Sequence, residues 1–209
     1  KPEAKVEVAT KPSGPSLKIG IWTGPAWESW EPSWVESGGL GGSETAAIIM
    51  ARELRNLGHD VFVVGMHEGV AKGVDFVHHA SYESGLVDKR FLECDVLVLS
   101  RQTWPMARYM WKTKAVFVWA HDVHVGTGKE VEEQLQKVDG LLALSRWHRQ
   151  NMVNLYPGVD RNKFLVTRNG IDVKRFEEEP VKISGRMIYA SSPDRGLETL
   201  LDADRRIRG

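Results

Sequence analysis

Residues 38–45, GGLGGSET, place four glycines within five positions, directly before a helical stretch. Glycine loses more backbone freedom on folding than any other residue, so this density asks for a reason. One reason is a tight turn. The other is a ligand that must touch main chain: a helix N-terminus offers unpaired N–H groups, and bare glycine lets a phosphate approach them. The stretch is not a dinucleotide fingerprint, because Glu44 stands where the third glycine of G-x-G-x-x-G belongs, and it lacks the Lys-Ser/Thr ending of a P-loop. Its place after the first strand favours phosphate contact.

Three further polar segments follow apolar runs. AHDVH presents His121, Asp122 and His124; the spacing is a weak metal signal, and an imidazole donating to a sugar hydroxyl or a developing charge suits it better. LSRWHRQNMV places Arg146 and Arg149 in the first turn of a helix, where cations oppose the dipole unless an anion or carboxylate lies nearby. RNGID, with Asn169, reads as a turn from its Asn-Gly pair. A fourth segment, WTGPAWESWEPSW, carries Trp27, Trp30 and Trp34; it either caps the sheet with aromatic bulk or offers a face on which an acceptor stacks.

The elements that must position these residues alternate along the chain. LKIGIWT, HDVFVVG, VDFVHH, CDVLVLS, AVFVWAH, DGLLALS and KFLVTRNGI read as strands. SETAAIIMARELRNL, WPMARYMWK, KEVEEQLQKV and RWHRQNMVNLY read as helices, with Ser43 as the N-cap expected for the first. The strands are apolar on consecutive positions, which marks a parallel sheet covered on both faces. The expected fold is a doubly wound, Rossmann-like α/β domain over residues 17–179, preceded by a Lys/Pro/Ser-rich linker at 1–16. The acidic EEEPVK reads as a hinge. At 180–209 the strand-like RMIYASS and the helical GLETLLDADRRI suggest the start of a second α/β domain. In an open parallel sheet, ligands bind outside the carboxyl ends of the strands, where all of these candidate segments fall.

Lys+Arg and Asp+Glu balance at 28 each, so no broad field favours a polyanion and nucleic acid is disfavoured as a partner. The single cysteine, Cys94, lies in an apolar strand and reads as a structural thiol of a reducing, cytoplasmic compartment. No apolar run approaches membrane-spanning length.

Together the segments resemble the N-terminal half of a GT-B glycosyltransferase of the large retaining family 4, over nearly everything after the linker. GGSETAAIIMARELRNLGHDVFVV is similar to that family's Gly-Gly-x-Glu helix entry followed by Gly-His-x-Val. His121 in WAHD resembles its strand-end histidine, LSRWHRQNM its Ser-x-x-x-Arg helix, and NGIDVKRF its Asn-Gly-Ile/Val-Asp-x-x-x-Phe segment. SSPDRGLETLLDA resembles its Ser-Pro-Glu-Lys-Gly second-domain start. The resemblance implies transfer of a sugar from a nucleotide-sugar donor to a carbohydrate or lipid-linked acceptor hydroxyl, with retention and without a metal or cofactor.

In that reading Gly41 and Gly42 face the donor diphosphate, His121 touches the transferred sugar as the catalytic residue, and Arg195 replaces the lysine that neutralises the diphosphate. Arg149 and Asn169 join the donor side; Trp27, Trp30, Trp34 and Asp122 form the acceptor side. Two departures stand out. Tyr189-Ala190-Ser191 occupy the place of the family's other basic residue, and its paired glutamates would lie past Gly209. The chain is therefore expected to be part of a longer polypeptide and inactive alone, peripheral membrane association remaining open. Two other functions share the scaffold: a non-catalytic carbohydrate- or partner-binding module, and a nucleotide-sugar epimerase.

Overall fold

A computed structural model describes residues 14–171, 173–177 and 180–208. The chain divides into two compact units, Lys1–Gly170 and Ile171–Gly209, a break earlier than the expected boundary after residue 179. Of the expected linker, residues 1–13 lie outside the described residues, as do Glu178 and Glu179 of the expected hinge.

The first unit is an α/β domain. Its strands are β1 (Lys18–Trp22), β2 (Asp60–Gly65), β3 (Gly69–Ala71), β4 (Val74–His78), β5 (Glu93–Ser100), β6 (Lys112–Trp119), β7 (Gly140–Ala143) and β8 (Phe164–Val166). Its helices are α1 (Trp34–Ser37), α2 (Gly42–Asn56), α3 (Ala80–Glu83), α4 (Pro105–Arg108), α5 (Lys129–Lys137) and α6 (Arg146–Leu155). The strands form one sheet in the order β3-β4-β2-β1-β5-β6-β7-β8, parallel throughout except for β3. Without β3 this is the doubly wound order, which reverses direction between β1 and β5 and opens a crevice there.

The consecutive apolar residues have a simple cause: alternate side chains enter two different cores. Ile19 and Ile21 of β1 and Val61 and Val63 of β2 pack with Ile48 of α2 on one face. Trp22, Phe62 and Val64 pack with Leu135 of α5 and Met152 of α6 on the other. Gly20 lies beside Phe62 in the register. A Cβ there would sit 2.6 Å from the Phe62 ring tip, so the missing side chain is what seats that ring.

Two expectations need correction. Ser43 does not cap α2: the N-cap is Gly41, and the Ser43 hydroxyl donates to Glu44 Oε2 at 2.8 Å. Edge strand β3 has no apolar run to announce it. It pairs antiparallel with β4 across Lys72-Gly73, both at positive φ (49° and 77°), the geometry of a tight hairpin turn.

The second unit contains 3-10 turns at Val173–Phe176 and Pro193–Arg195 and the helix α7 (Leu197–Arg208). The helix matches expectation; RMIYASS forms no strand. Among the described residues no helix is long and apolar enough to cross a membrane.

Candidate functional site

The register brings the loops together. Trp22 aligns with Leu99, Ser100 with Trp119, Trp119 with Leu142, and Ala143 with Val166. Strands β1, β5, β6, β7 and β8 therefore end side by side, and the loops that follow them share one rim.

Arg101, the first residue after β5, ties three of these loops together. Its backbone N–H donates to Trp119 O at 2.9 Å, and its φ is +69°. A non-glycine residue in that region carries strain of about 1–2 kcal/mol. The strained backbone aims the guanidinium at its neighbours. Arg101 Nε–H donates to Asp122 Oδ2 at 3.1 Å, and Nη1 lies 3.4 Å from Ser43 Oγ and 3.6 Å from Glu44 Oε1. The start of α2 and the loop after β6 are thus joined across the switch point by one cation.

Gly41 and Gly42 sit at this junction for different reasons. A Cβ on Gly41 would strike Glu44 Oε2 and push that carboxylate off Arg101. A Cβ on Gly42 would meet nothing within 4 Å, and its φ is not in the left-handed region. Neither packing nor backbone conformation requires glycine at position 42.

His121 packs its ring on Trp119, with centroids 4.4 Å apart. Its Nε2 is buried and has no partner among the described residues. Burial holds its pKa below the ordinary imidazole value, the Arg101 charge pushes the same way, and Asp122 and Glu44 oppose both. A depressed folded-state pKa means that the unfolded chain binds the extra proton first, so acid favours unfolding. The stability contributed is full above about 6.5 and is lost as pH falls toward the depressed value. Melting curves recorded from about pH 7.5 down to about pH 5 are expected to show a smaller acid loss in His121→Gln than in the wild type.

The loop bearing His121 is firmly held. Asn151 of α6 donates to Val123 O at 2.8 Å, Tyr156 Oη accepts from Val125 N–H at 3.0 Å, and that hydroxyl donates to Gly126 O at 2.8 Å. His124 turns its Nδ1 back onto Gly126 N–H at 3.2 Å, and Asp122 is engaged by Arg101. Among the described residues no group of three His, Cys, Asp or Glu side chains is placed to hold a metal ion.

The other expected residues scatter. Arg149 serves the fold: its Nε–H donates to Phe164 O at 2.7 Å and its Nη2 to Arg161 O at 3.1 Å, tying α6 to β8. That answers why a cation stands in the first turn, since two carbonyl oxygens receive it in place of an anion. Arg149→Met is expected to lower stability by about 1–3 kcal/mol, as two carbonyls lose a charged donor; chemical denaturation of the two forms measures it. Trp30 is only 4% exposed and packs edge-on against Phe76, so its ring offers no stacking face. Trp27 is fully exposed and Trp34 is 36% exposed. Asn169 is exposed in the loop after β8. Arg195 is exposed in the second unit, where it ends the turn Pro193–Arg195 before Gly196 at φ +103°.

Arg101 is a site residue that sequence reasoning misses. Its one signal is position, a cation directly after an apolar strand whose neighbour ends in WAHD. Cys94 is buried, and burial raises its thiol pKa, so the group is unreactive as expected.

No protein-family model matches this chain, and no curated protein matches it in sequence. Among solved structures, the crystal structure of a glycosyltransferase from Rickettsia africae ESF-5 is similar, with a TM-score of 0.52 at 12% sequence identity. The likeness covers 90% of this chain and 50% of that one, so the chain spans about half the length of the structure it matches. The fold is thus Rossmann-like α/β of the kind found in a glycosyltransferase.

Proposed function

We propose that this chain forms one wall of the cleft of a GT-B glycosyltransferase of the retaining, family 4 type. Its substrates are a nucleotide-sugar donor and an acceptor hydroxyl on a carbohydrate or lipid-linked sugar. The observation that carries the reading is Gly42: a bare residue at a helix N-terminus that the fold does not require, on the same rim as His121 and Arg101. Likeness in fold to a glycosyltransferase supports it.

In the reaction the bond from the sugar's anomeric carbon to the diphosphate oxygen breaks, and the acceptor oxygen bonds to that carbon from the same face. The acceptor's proton passes to the departing phosphate oxygen. Negative charge grows on the diphosphate, and the free N–H groups and dipole of α2 stand ready to meet it. Arg101 adds a fixed cation beside them. His121, held neutral by burial, presents a donor to a hydroxyl of the transferred sugar. The exposed Trp27 and Asp122 suit the acceptor side. Asn169 in the first unit and Arg195 in the second are carried as further donor-side candidates.

The test is incubation of the full-length protein with UDP- and GDP-sugars and a panel of acceptors, with NMR of the product linkage. Retained configuration supports the proposal. Inversion sinks the family 4 assignment, epimerised donor in the absence of acceptor points to an epimerase, and acceptor binding without turnover points to a module.

A further inference from the structure

The β3 edge of the sheet, separated from β1 by β4 and β2, borders a cleft of about 350 Å³. Its origin lies in the strand register. Val70 of β3 aligns with Asp75 of β4, and Asp75 with Phe62 of β2, so the three side chains share one face. Val77, two residues after Asp75, shares it too. Phe62 and Val77 belong to the core on that face, where the Phe91 ring packs on Phe62 with centroids 5.2 Å apart. The cover does not extend to the edge: Val70 is 71% exposed and Leu86 is 83% exposed. Val70, Asp75 and Val77 line the cleft from the sheet, and Leu86, Val87 and Phe91 line it from the segment leading into β5.

Four charged residues also line it: Glu68, Asp75, Asp88 and Arg90. Two of them cancel. Arg90 Nε lies 3.1 Å from Asp88 Oδ2, and its guanidinium stands over the Phe91 ring at 4.4 Å. Lys18, a cation nearby, donates to Arg90 O and lies 5.8 Å from the Phe62 ring centre. The carboxylates of Asp75 and Glu68 have no hydrogen bond or ion pair among the described residues. Asp75 is half-buried, with apolar neighbours on both sides along its face. A largely apolar wall that carries uncompensated negative charge complements a molecule that is apolar along its length and positive at one end.

We propose that this cleft is a binding site for a small aliphatic primary amine. The ammonium group sits at Asp75 and Glu68, and the stem lies along Val70, Val77 and Leu86. The volume is near the lower end of the range for ligand pockets, about 300–1,000 Å³, which suits a free amine of a few carbons. The site stands apart from the rim and does not rest on the transferase reading.

Titration of the full-length protein with n-hexylammonium, followed through backbone amide NMR shifts, tests the proposal. Shifts are expected at Val70, Asp75, Val77 and Leu86, with a dissociation constant on the order of 1 mM. Hexanol has the same length without the charge and should bind about 10-fold more weakly, as should hexylammonium to Asp75→Asn. Butylammonium should also lose about 10-fold, because each buried methylene contributes up to about 4-fold. Equal binding of hexanol, unchanged affinity in a folded Asp75→Asn, or shifts confined to other surfaces overturns the proposal. So does the lack of any shift at about 20 mM hexylammonium. Where Asp75→Asn does not fold, the comparison of amine with alcohol in the wild type and the weakening expected in Glu68→Gln decide. Tighter binding of N-acetyl-lysine N-methylamide than of hexylammonium would place a partner's lysine side chain in the cleft and also overturn the assignment.

Discussion

Alanine at position 121 is expected to lower sugar transfer by roughly 10²- to 10³-fold, the usual cost of removing one preorganised donor. The measurement is steady-state transfer by the full-length protein, beside thermal melting of the same variant. Melting should change little, because two effects oppose each other. Truncation removes the ring contact with Trp119, but it also removes a buried nitrogen that has no partner among the described residues. The loss should fall mainly on kcat, since a donor aimed at the reacting sugar matters most when charge develops there. A variant that binds acceptor more weakly but turns over at the wild-type rate would move His121 from the chemistry to recognition and favour the binding-module reading.

The sheet is legible in the sequence because burial on both faces writes itself as consecutive apolar residues. Ile19, Ile21 and Trp22 read as one run, yet they belong to two cores. Strand β3 is not legible because an exposed three-residue edge has no burial to record. RMIYASS carries the apolar signal of a strand, but a strand exists only where a neighbour accepts its hydrogen bonds, and among the described residues it has none.

The site is legible as a set of loops and less so as a set of side chains. Parallel topology guarantees that the loops after β1, β5, β6 and β7 share an edge, so the meeting of the Gly-rich entry with the His121 loop follows from connectivity alone. Which way a long side chain turns does not. Arg101 and Arg149 are both cations at that edge, yet one bridges carboxylates across the switch point and the other binds the carbonyls of Phe164 and Arg161. Trp27 and Trp30 lie in one irregular segment whose residues follow no period, and one is fully exposed while the other fills the space that Gly65 leaves. A charge or an aromatic in a loop marks a neighbourhood, and only the fold assigns its partner.

Gly42→Ala separates folding from function at the position that prompted the functional reading. Alanine in a helix is favoured over glycine by about 0.5–1 kcal/mol, and here the added methyl meets nothing within 4 Å. The variant is therefore expected to melt at the same temperature as the wild type or slightly above it. Transfer should nonetheless fall by about 10²-fold, because the methyl stands where a diphosphate oxygen would approach the first N–H groups of α2. Gly41→Ala does not give so clean an answer: its methyl displaces Glu44 from Arg101, so any lost activity could come from the disturbed ion pair. A Gly42→Ala protein that is more stable and equally active would mean that the open space beside α2 receives no ligand. The glycines would then be only a turn, and the argument for a phosphate on this rim would fall with them.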